Sequence, residues 1–238
     1  MKSRLLILIF GIALPAMPQS LQLHYDFRHS LDPARNAKNF PTLYYEYFKG
    51  NDSGSFLLKM QSDFSGRGNN IGQFYSQISQ SFRFWEPKIC AQVEYSGGLG
   101  IVEPGSFGYY LANTLSLGCA YPFQWEGGFF YAAASCSYTA MSLPSYDPLF
   151  SIYWWKGLWK YRVEFCGDIE VWTQNRSRGI GSPGSGTGKS VHLYGQPQLW
   201  LKLTDRLSVG TKLSFSYHVV ADENVLLFYP TAAMRYKI

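Results

Sequence analysis

Charge is scarce in this sequence. Only 16% of its 238 residues are Asp, Glu, Lys or Arg, against roughly 25% in an ordinary soluble domain. Long apolar runs are missing as well. The one candidate, Leu5 to Leu14, is shorter than the ~20 residues a spanning helix requires. Lys2 and Arg4 precede it, and Pro15, Ala16, Pro18 and Ser20 follow, which is the build of a secretory signal peptide. Residues 1–20 are therefore expected to be a leader and 21–238 the exported domain. Loss of Lys2 and Arg4 lowers the formal charge from +5 to +3. That surplus is spread along the chain, so nucleic acid is not an expected partner. The four histidines have no metal-ligating spacing, and no metal or cofactor is expected. Cys90, Cys119, Cys136 and Cys166 are expected to be free thiols serving as small hydrophobes.

Aromatic residues are abundant instead. They make up 18% of the chain, with 18 Tyr and 17 Phe, while the mean hydropathy is only −0.14. This combination argues against disorder and against a helical membrane protein. The most informative stretch is Tyr161 to Trp172. Val163, Phe165, Gly167, Ile169 and Val171 alternate with Arg162, Glu164, Cys166, Asp168, Glu170 and Trp172. Side chains of a strand point alternately to opposite faces, so one face here is oily and the other carries four charges. The run is long enough to cross a bilayer when tilted. Such a strand suits a barrel with lipid outside and water inside. A soluble lipocalin-like barrel is the alternative, and it would turn the apolar face inward.

The same alternation recurs along the chain. Strands are expected at about 21–28, 41–49, 55–64, 72–85, 89–96, 109–121, 129–141, 149–156, 161–172, 190–202, 207–218 and 228–238. Gly97 to Ser106, Pro122 to Gly128, Ser142 to Pro148, Gly157 to Lys160 and Thr173 to Lys189 are expected to connect them. Connections after odd strands are long or polar, and those after even strands are mostly tight. Outer-membrane barrels show that asymmetry, together with an even strand count. The expected fold is thus all-β, a single transmembrane antiparallel up-and-down barrel of about twelve strands. Both termini would be periplasmic and the oligomeric state monomeric.

Several segments resemble a family of outer-membrane proteins known as a domain of unknown function and grouped with the Tsx-like nucleoside-specific channel-forming proteins. The matching pieces are LQLHYDF at 21–27, YYEYF at 44–48, QVEYSGGL at 92–99, FCGDIEVW at 165–172, PQLW at 197–200 and FYPTAAMRYKI at 228–238. The chain departs in ending on Ile238, where such barrels end in an aromatic residue. The resemblance implies a narrow twelve-stranded barrel in the bacterial outer membrane and passive uptake of small polar solutes, nucleosides among them.

Strand parity supplies the candidate lumen residues: Asp26, Glu46, Lys59, Asp63, Arg83, Glu94, Arg162, Glu164, Asp168, Glu170, Trp172, Gln198, Lys212 and Arg235. With odd strands running outward, Asp26, Asp63, Asp168 and Glu170 fall toward the outer end and Glu94 near mid-height. Arg83, Arg162, Arg235 and Lys237 fall toward the periplasmic end, and Lys59 and Lys212 between. Opposed charges in so narrow a tube either form a selective constriction or pair with one another and plug it, leaving a structural or adhesive barrel. Enzymatic function is not expected. His24 with Asp26, or Ser216 with His218, has the makings of a hydrolase dyad without a third member. PGSGTGKS at 183–190 resembles a phosphate-binding loop but has Pro183 where the motif requires glycine.

Overall fold

The computed structural model describes residues 19–51, 53–86, 88–102, 107–140, 144–177, 185–220 and 223–238; residues 1–18 of the expected leader lie outside them. The strands are β1 (Gln19–Asp26), β2 (Phe40–Asn51), β3 (Gly54–Asp63), β4 (Gln73–Phe82), β5 (Cys90–Val102), β6 (Phe107–Trp125), β7 (Gly128–Thr139), β8 (Ser145–Leu158) and β9 (Val163–Ser177). They continue with β10 in two segments, β10a (Ser185–Gly195) and β10b (Gln198–Lys202), then β11 (Leu207–Tyr217) and β12 (Leu226–Lys237). Each pairs antiparallel with its neighbour. The ring closes where β1 meets β12, from Ser20 opposite Lys237 to Asp26 opposite Thr231. Closure leaves no unpaired sheet edge for lipid to meet.

The wall is inside-out. Gln22, His24, Lys59, Asp63, Gln77, Glu94, Glu164, Asp168, Gln198, Lys212 and Arg235 are buried, while Leu21, Leu23, Leu115, Leu117, Phe150, Phe165 and Leu199 are exposed. Leu117, midway along β6, has 61% of its surface open. In water such a belt would be costly; hydrocarbon satisfies it. The lipocalin-like alternative, with its apolar face inward, is excluded. Aromatic neighbours cluster on the outer wall at the short-turn end, among them Phe123 stacked on Phe130 at 5.2 Å and Phe82 on Phe84 at 6.0 Å. This is where an interfacial girdle belongs.

Several strands run further than their composition suggests. β5 continues through Gly97–Gly100, expected as a loop. A Cβ on Gly98 would run into the Phe74 carbonyl, and the rings of Tyr95 and Tyr109 occupy the space beside Gly97 and Gly100. Aromatic side chains thus cover bare backbone that would otherwise weaken the strand. β6 carries on through Pro122, which pairs with Tyr131, and the turn falls at Glu126 and Gly127, both at positive φ (46° and 74°). β8 starts at Ser145 and so takes in Asp147 and Pro148, while β9 extends to Ser177 and β10a begins at Ser185. Lys189 and Ser190 therefore lie in a strand paired with Asn175 and Gln174. A phosphate-binding loop would need a turn into a helix there, so that resemblance is not realised; residues 178–184 lie outside the described set.

The break in β10 has a local cause. Pro197 has no N–H to give the ladder, so the pairing is interrupted at Gln196 and Pro197 and resumes in the same register against both neighbours. Opposite, Gly167 adopts φ 152°, and a Cβ there would sit 2.6 Å from the Gln196 carbonyl oxygen. Glycine is required at that position. Both segments still pair with β9 and β11, so the wall has twelve strands. The four cysteines are unpaired thiols.

Candidate functional site

The lumen holds three polar layers. At the end bearing the short turns, Glu164 of β9 receives Arg235 Nη2 on Oε2, and Lys237 Nζ at 2.6 Å and Lys202 Nζ at 3.1 Å on Oε1. Three cations converge on one carboxylate. The Arg235 guanidinium also lies over the Trp200 ring, 4.7 Å from its centroid. Trp200 is wholly buried and donates its indole N–H to Gln198 Oε1 at 2.9 Å. It meets His24 edge-on at 5.9 Å, and His24 meets Tyr44 at 6.1 Å. Lys212 Nζ stands 5.0 Å above the Tyr44 ring, whose hydroxyl donates to Glu46 Oε2 at 3.2 Å.

At mid-height the lumen is crossed. Lys59 Nζ on β3 reaches Asp168 Oδ1 on β9 at 2.7 Å, with both side chains 7% exposed. β3 and β9 are six places apart whichever way the ring of twelve is counted, so this ion pair spans the barrel. Lys59 also lies 4.8 Å from the Tyr153 ring centroid. Gln77 Nε2 is within 3.0 Å of Glu94 Oε1 and of Glu170 Oε1, and 2.9 Å from the Tyr153 hydroxyl. The Tyr153 hydroxyl donates to Glu170 Oε1 at 2.9 Å. Gln92 donates to Glu94 Oε2 at 3.3 Å, and Tyr131 donates to Gln92 Oε1 at 3.3 Å. Glu94, Asp168 and Glu170 thus gather around the Lys59 ammonium, and Glu46 is paired with Lys59 in the β2–β3 ladder.

At the far end Asp26 accepts two 2.8 Å hydrogen bonds from Arg28, one from its backbone N–H and one from Nη2. Arg28 begins a single helical turn, Arg28–Leu31, and its guanidinium lies 4.7 Å from the Phe40 ring and 5.0 Å from that of Tyr229. Asp63 accepts from Thr42 at 2.7 Å and Gln61 at 2.9 Å. Trp172 stacks on His192 at 5.4 Å. Asp147 holds Lys189 at 2.9 Å and Thr173 at 2.5 Å.

Of the residues marked by strand parity, Asp26, Lys59, Asp63, Glu94, Glu164, Asp168, Gln198, Lys212 and Arg235 are buried within the barrel, and Glu46, Glu170 and Trp172 are half-buried on its inner wall. Two are misplaced. Arg162 precedes β9 in the turn after Leu158 and is exposed, because the turn ends two residues later than the sequence suggests. Arg83 lies past the end of β4, its backbone N–H bonded to Ser53. Asp168 and Glu170, expected with the outer acids, stand at mid-height instead, Asp168 joined to Lys59 and Glu170 to Gln77 and Tyr153. Neither suspected dyad forms. Both ring nitrogens of His24 are engaged, by Gln22 Oε1 at 2.9 Å and Thr231 Oγ1 at 3.1 Å, and those of His218 by Val191 and Asn224. Arg28, Gln77, Asp147 and Tyr153 were not among the marked residues. Gln77 sits on the polar face of its strand and was recoverable by parity, Tyr153 lies on a strand whose two faces are both aromatic-rich, and Arg28 and Asp147 belong to stretches that read as connections.

Comparison with known proteins follows this geometry. The sequence profile of the family described as a domain of unknown function, DUF5020, matches residues 18–238, and the chain belongs to that family. No curated protein matches it. Among solved structures it is similar to the NanC porin, at 8% identity over 92% of this chain and 100% of that one, with a TM-score of 0.54. It is also similar to the KdgM porin (5% identity, 92% and 99% covered, TM-score 0.49) and to LpxR from Salmonella typhimurium (8%, 92% and 100%, 0.47). At such identities the likeness is one of fold, that of an outer-membrane barrel.

Proposed function

We propose that this barrel is a passive outer-membrane channel for small polar solutes, nucleosides among them, with the Lys59–Asp168 level as its constriction. The observation that carries the proposal is the pair itself: opposite charges 2.7 Å apart, on strands facing each other across the ring. Around it, Glu94, Glu170 and Gln77 offer hydrogen-bond partners and Tyr153 a flat face, with the ring of Trp172 further toward the far end. A hydrated ion has little to stack on such faces, while a base or sugar has both kinds of contact. The short-turn end, where β1 begins and β12 finishes, is assigned to the periplasm. The channel works as a monomer, since the lumen is complete within one chain. It needs no cofactor and performs no catalysis.

The same pair also favours a second reading, a plugged barrel that serves structure or adhesion. Hydrogen bonds that cross from β4 to β8 and β9 through Gln77 would then fill the tube permanently. Planar-bilayer recording separates the two. A channel gives discrete current steps for the wild type and larger ones for Lys59→Ala/Asp168→Ala. A plug gives no steps for the wild type. Liposome swelling with nucleosides against sugars of similar size then tests the solute class, and equal rates would remove nucleosides from the proposal.

A further inference from the structure

We infer that the outer wall carries a phospholipid site at the short-turn end, with one acyl chain seated in a groove beneath Trp159 and the phosphate held by Arg162 and Arg206. The groove has a volume of about 190 Å³ and is lined by Leu158, Trp159, Val163, Leu199, Leu201, Val209, Gly210 and Thr211. It lies outside the lumen. Val163 pairs with Leu158 and Leu201, which share its outward side. Even so, Val163 is only 6% exposed, whereas Leu199 and Leu201 are 45% and 48% exposed. A roof therefore stands over this part of the lipid-facing wall.

That roof depends on an unusual turn. Trp159, Lys160 and Tyr161 all have positive φ (47°, 54° and 64°), which bulky residues adopt only when their surroundings compel it. Tyr161 stacks on Trp155 at 5.9 Å and fills the space beside Gly157, and the Arg162 N–H bonds back to the Trp159 carbonyl at 3.2 Å. With Tyr161 anchored there, Trp159 is left over the groove. A strained turn that overhangs an apolar recess resembles a site more than an accident of packing.

The charges around the groove select the occupant. Lys160 and Arg162 belong to this turn, and Arg206 to the neighbouring turn between β10b and β11, where it also donates to the Tyr236 hydroxyl at 3.4 Å. All three cations are exposed; Asp205, next to Arg206, is the one acid in these two turns. Cations at the interface above an apolar slot match a lipid with an anionic phosphate. A second copy of the barrel would bring its own Lys160, Arg162 and Arg206 toward the same cations.

The test is native mass spectrometry of the full barrel extracted in mild detergent and titrated with phosphatidylglycerol. The wild type should retain one phospholipid. Thr211→Trp, which fills the groove from an outward-facing position, should weaken retention at least tenfold. Arg162→Glu/Arg206→Glu, confined to exposed turns, should do the same, with unchanged heat-modifiable gel migration showing that each barrel is folded. A wild type that holds no lipid, either variant holding it as well as wild type, or a lipid-free dimer would each overturn the inference.

Discussion

Replacing Lys59 by Met puts the cross-lumen pair to its most direct test. In the wild type the ammonium lies 2.7 Å from Asp168, and both side chains are 7% exposed. At an effective dielectric of ~20 that separation corresponds to roughly 6 kcal/mol of gross attraction. Several kcal/mol of desolvation per ion oppose it, so the net contribution of the intact pair is small. Breaking the pair is another matter. Lys59→Met leaves Asp168 buried near Glu94 and Glu170 without the ammonium it is hydrogen-bonded to. An uncompensated buried charge costs about 3–5 kcal/mol, a large share of a typical stability of ~5–15 kcal/mol. Lys59→Met/Asp168→Asn removes the orphaned charge as well and should recover most of the loss, for a coupling energy of about 2–3 kcal/mol. Urea unfolding of the barrel in liposomes, followed by tryptophan fluorescence, reads these two variants and the Asp168→Asn single variant that completes the cycle. A Lys59→Met barrel within ~0.5 kcal/mol of wild type would refute the buried bridge, and the proposed constriction with it.

Further outcomes follow from the other layers. Glu164→Gln leaves Arg235, Lys237 and Lys202 converging on a neutral amide; it should cost about 3–5 kcal/mol and move the reversal potential toward anion selectivity in a salt gradient. Leu117→Arg places a charge on the lipid face near the middle of β6 and should destabilise the barrel by about 2–4 kcal/mol; an unaffected barrel would mean that this face does not meet hydrocarbon. Arg28→Ala removes a charged hydrogen bond worth roughly 1.5–3 kcal/mol, together with contacts to Phe40 and Tyr229. Amide exchange across residues 27–39 should accelerate while that of β1 is unchanged.

Much of this architecture was legible in the alternation of residues. The stretch Val163 to Trp172 announces its two faces, and Glu164 and Asp168 point inward while Phe165 points out. What alternation cannot supply is a partner. Lys59 and Asp168 are 109 residues apart, and their meeting depends on how many strands close the ring, not on any local pattern. Strand ends were misread wherever composition and tertiary setting disagree. Gly97–Gly100 and Asp147–Pro148 have turn chemistry, yet neighbouring strands and the rings of Tyr95 and Tyr109 hold the former extended. Arg162 was misassigned because the parity of β9 was carried back into a turn whose three positive-φ residues leave no trace in composition. The two-part β10 was half legible: Pro197 signals a missing donor, but Gly167, which makes room for the Gln196 carbonyl, lies on another strand.

The seam between β1 and β12 has a consequence for biogenesis. β1 is hydrogen-bonded to β12, with the Ile238 N–H on the Gln19 carbonyl at 3.0 Å. No cylinder exists until residues 226–237 have been delivered. Until then β1 and β11 are raw edges able to recruit any passing strand. Maturation of this protein is therefore gated by the arrival of β12, and a chain lacking that strand keeps two open edges.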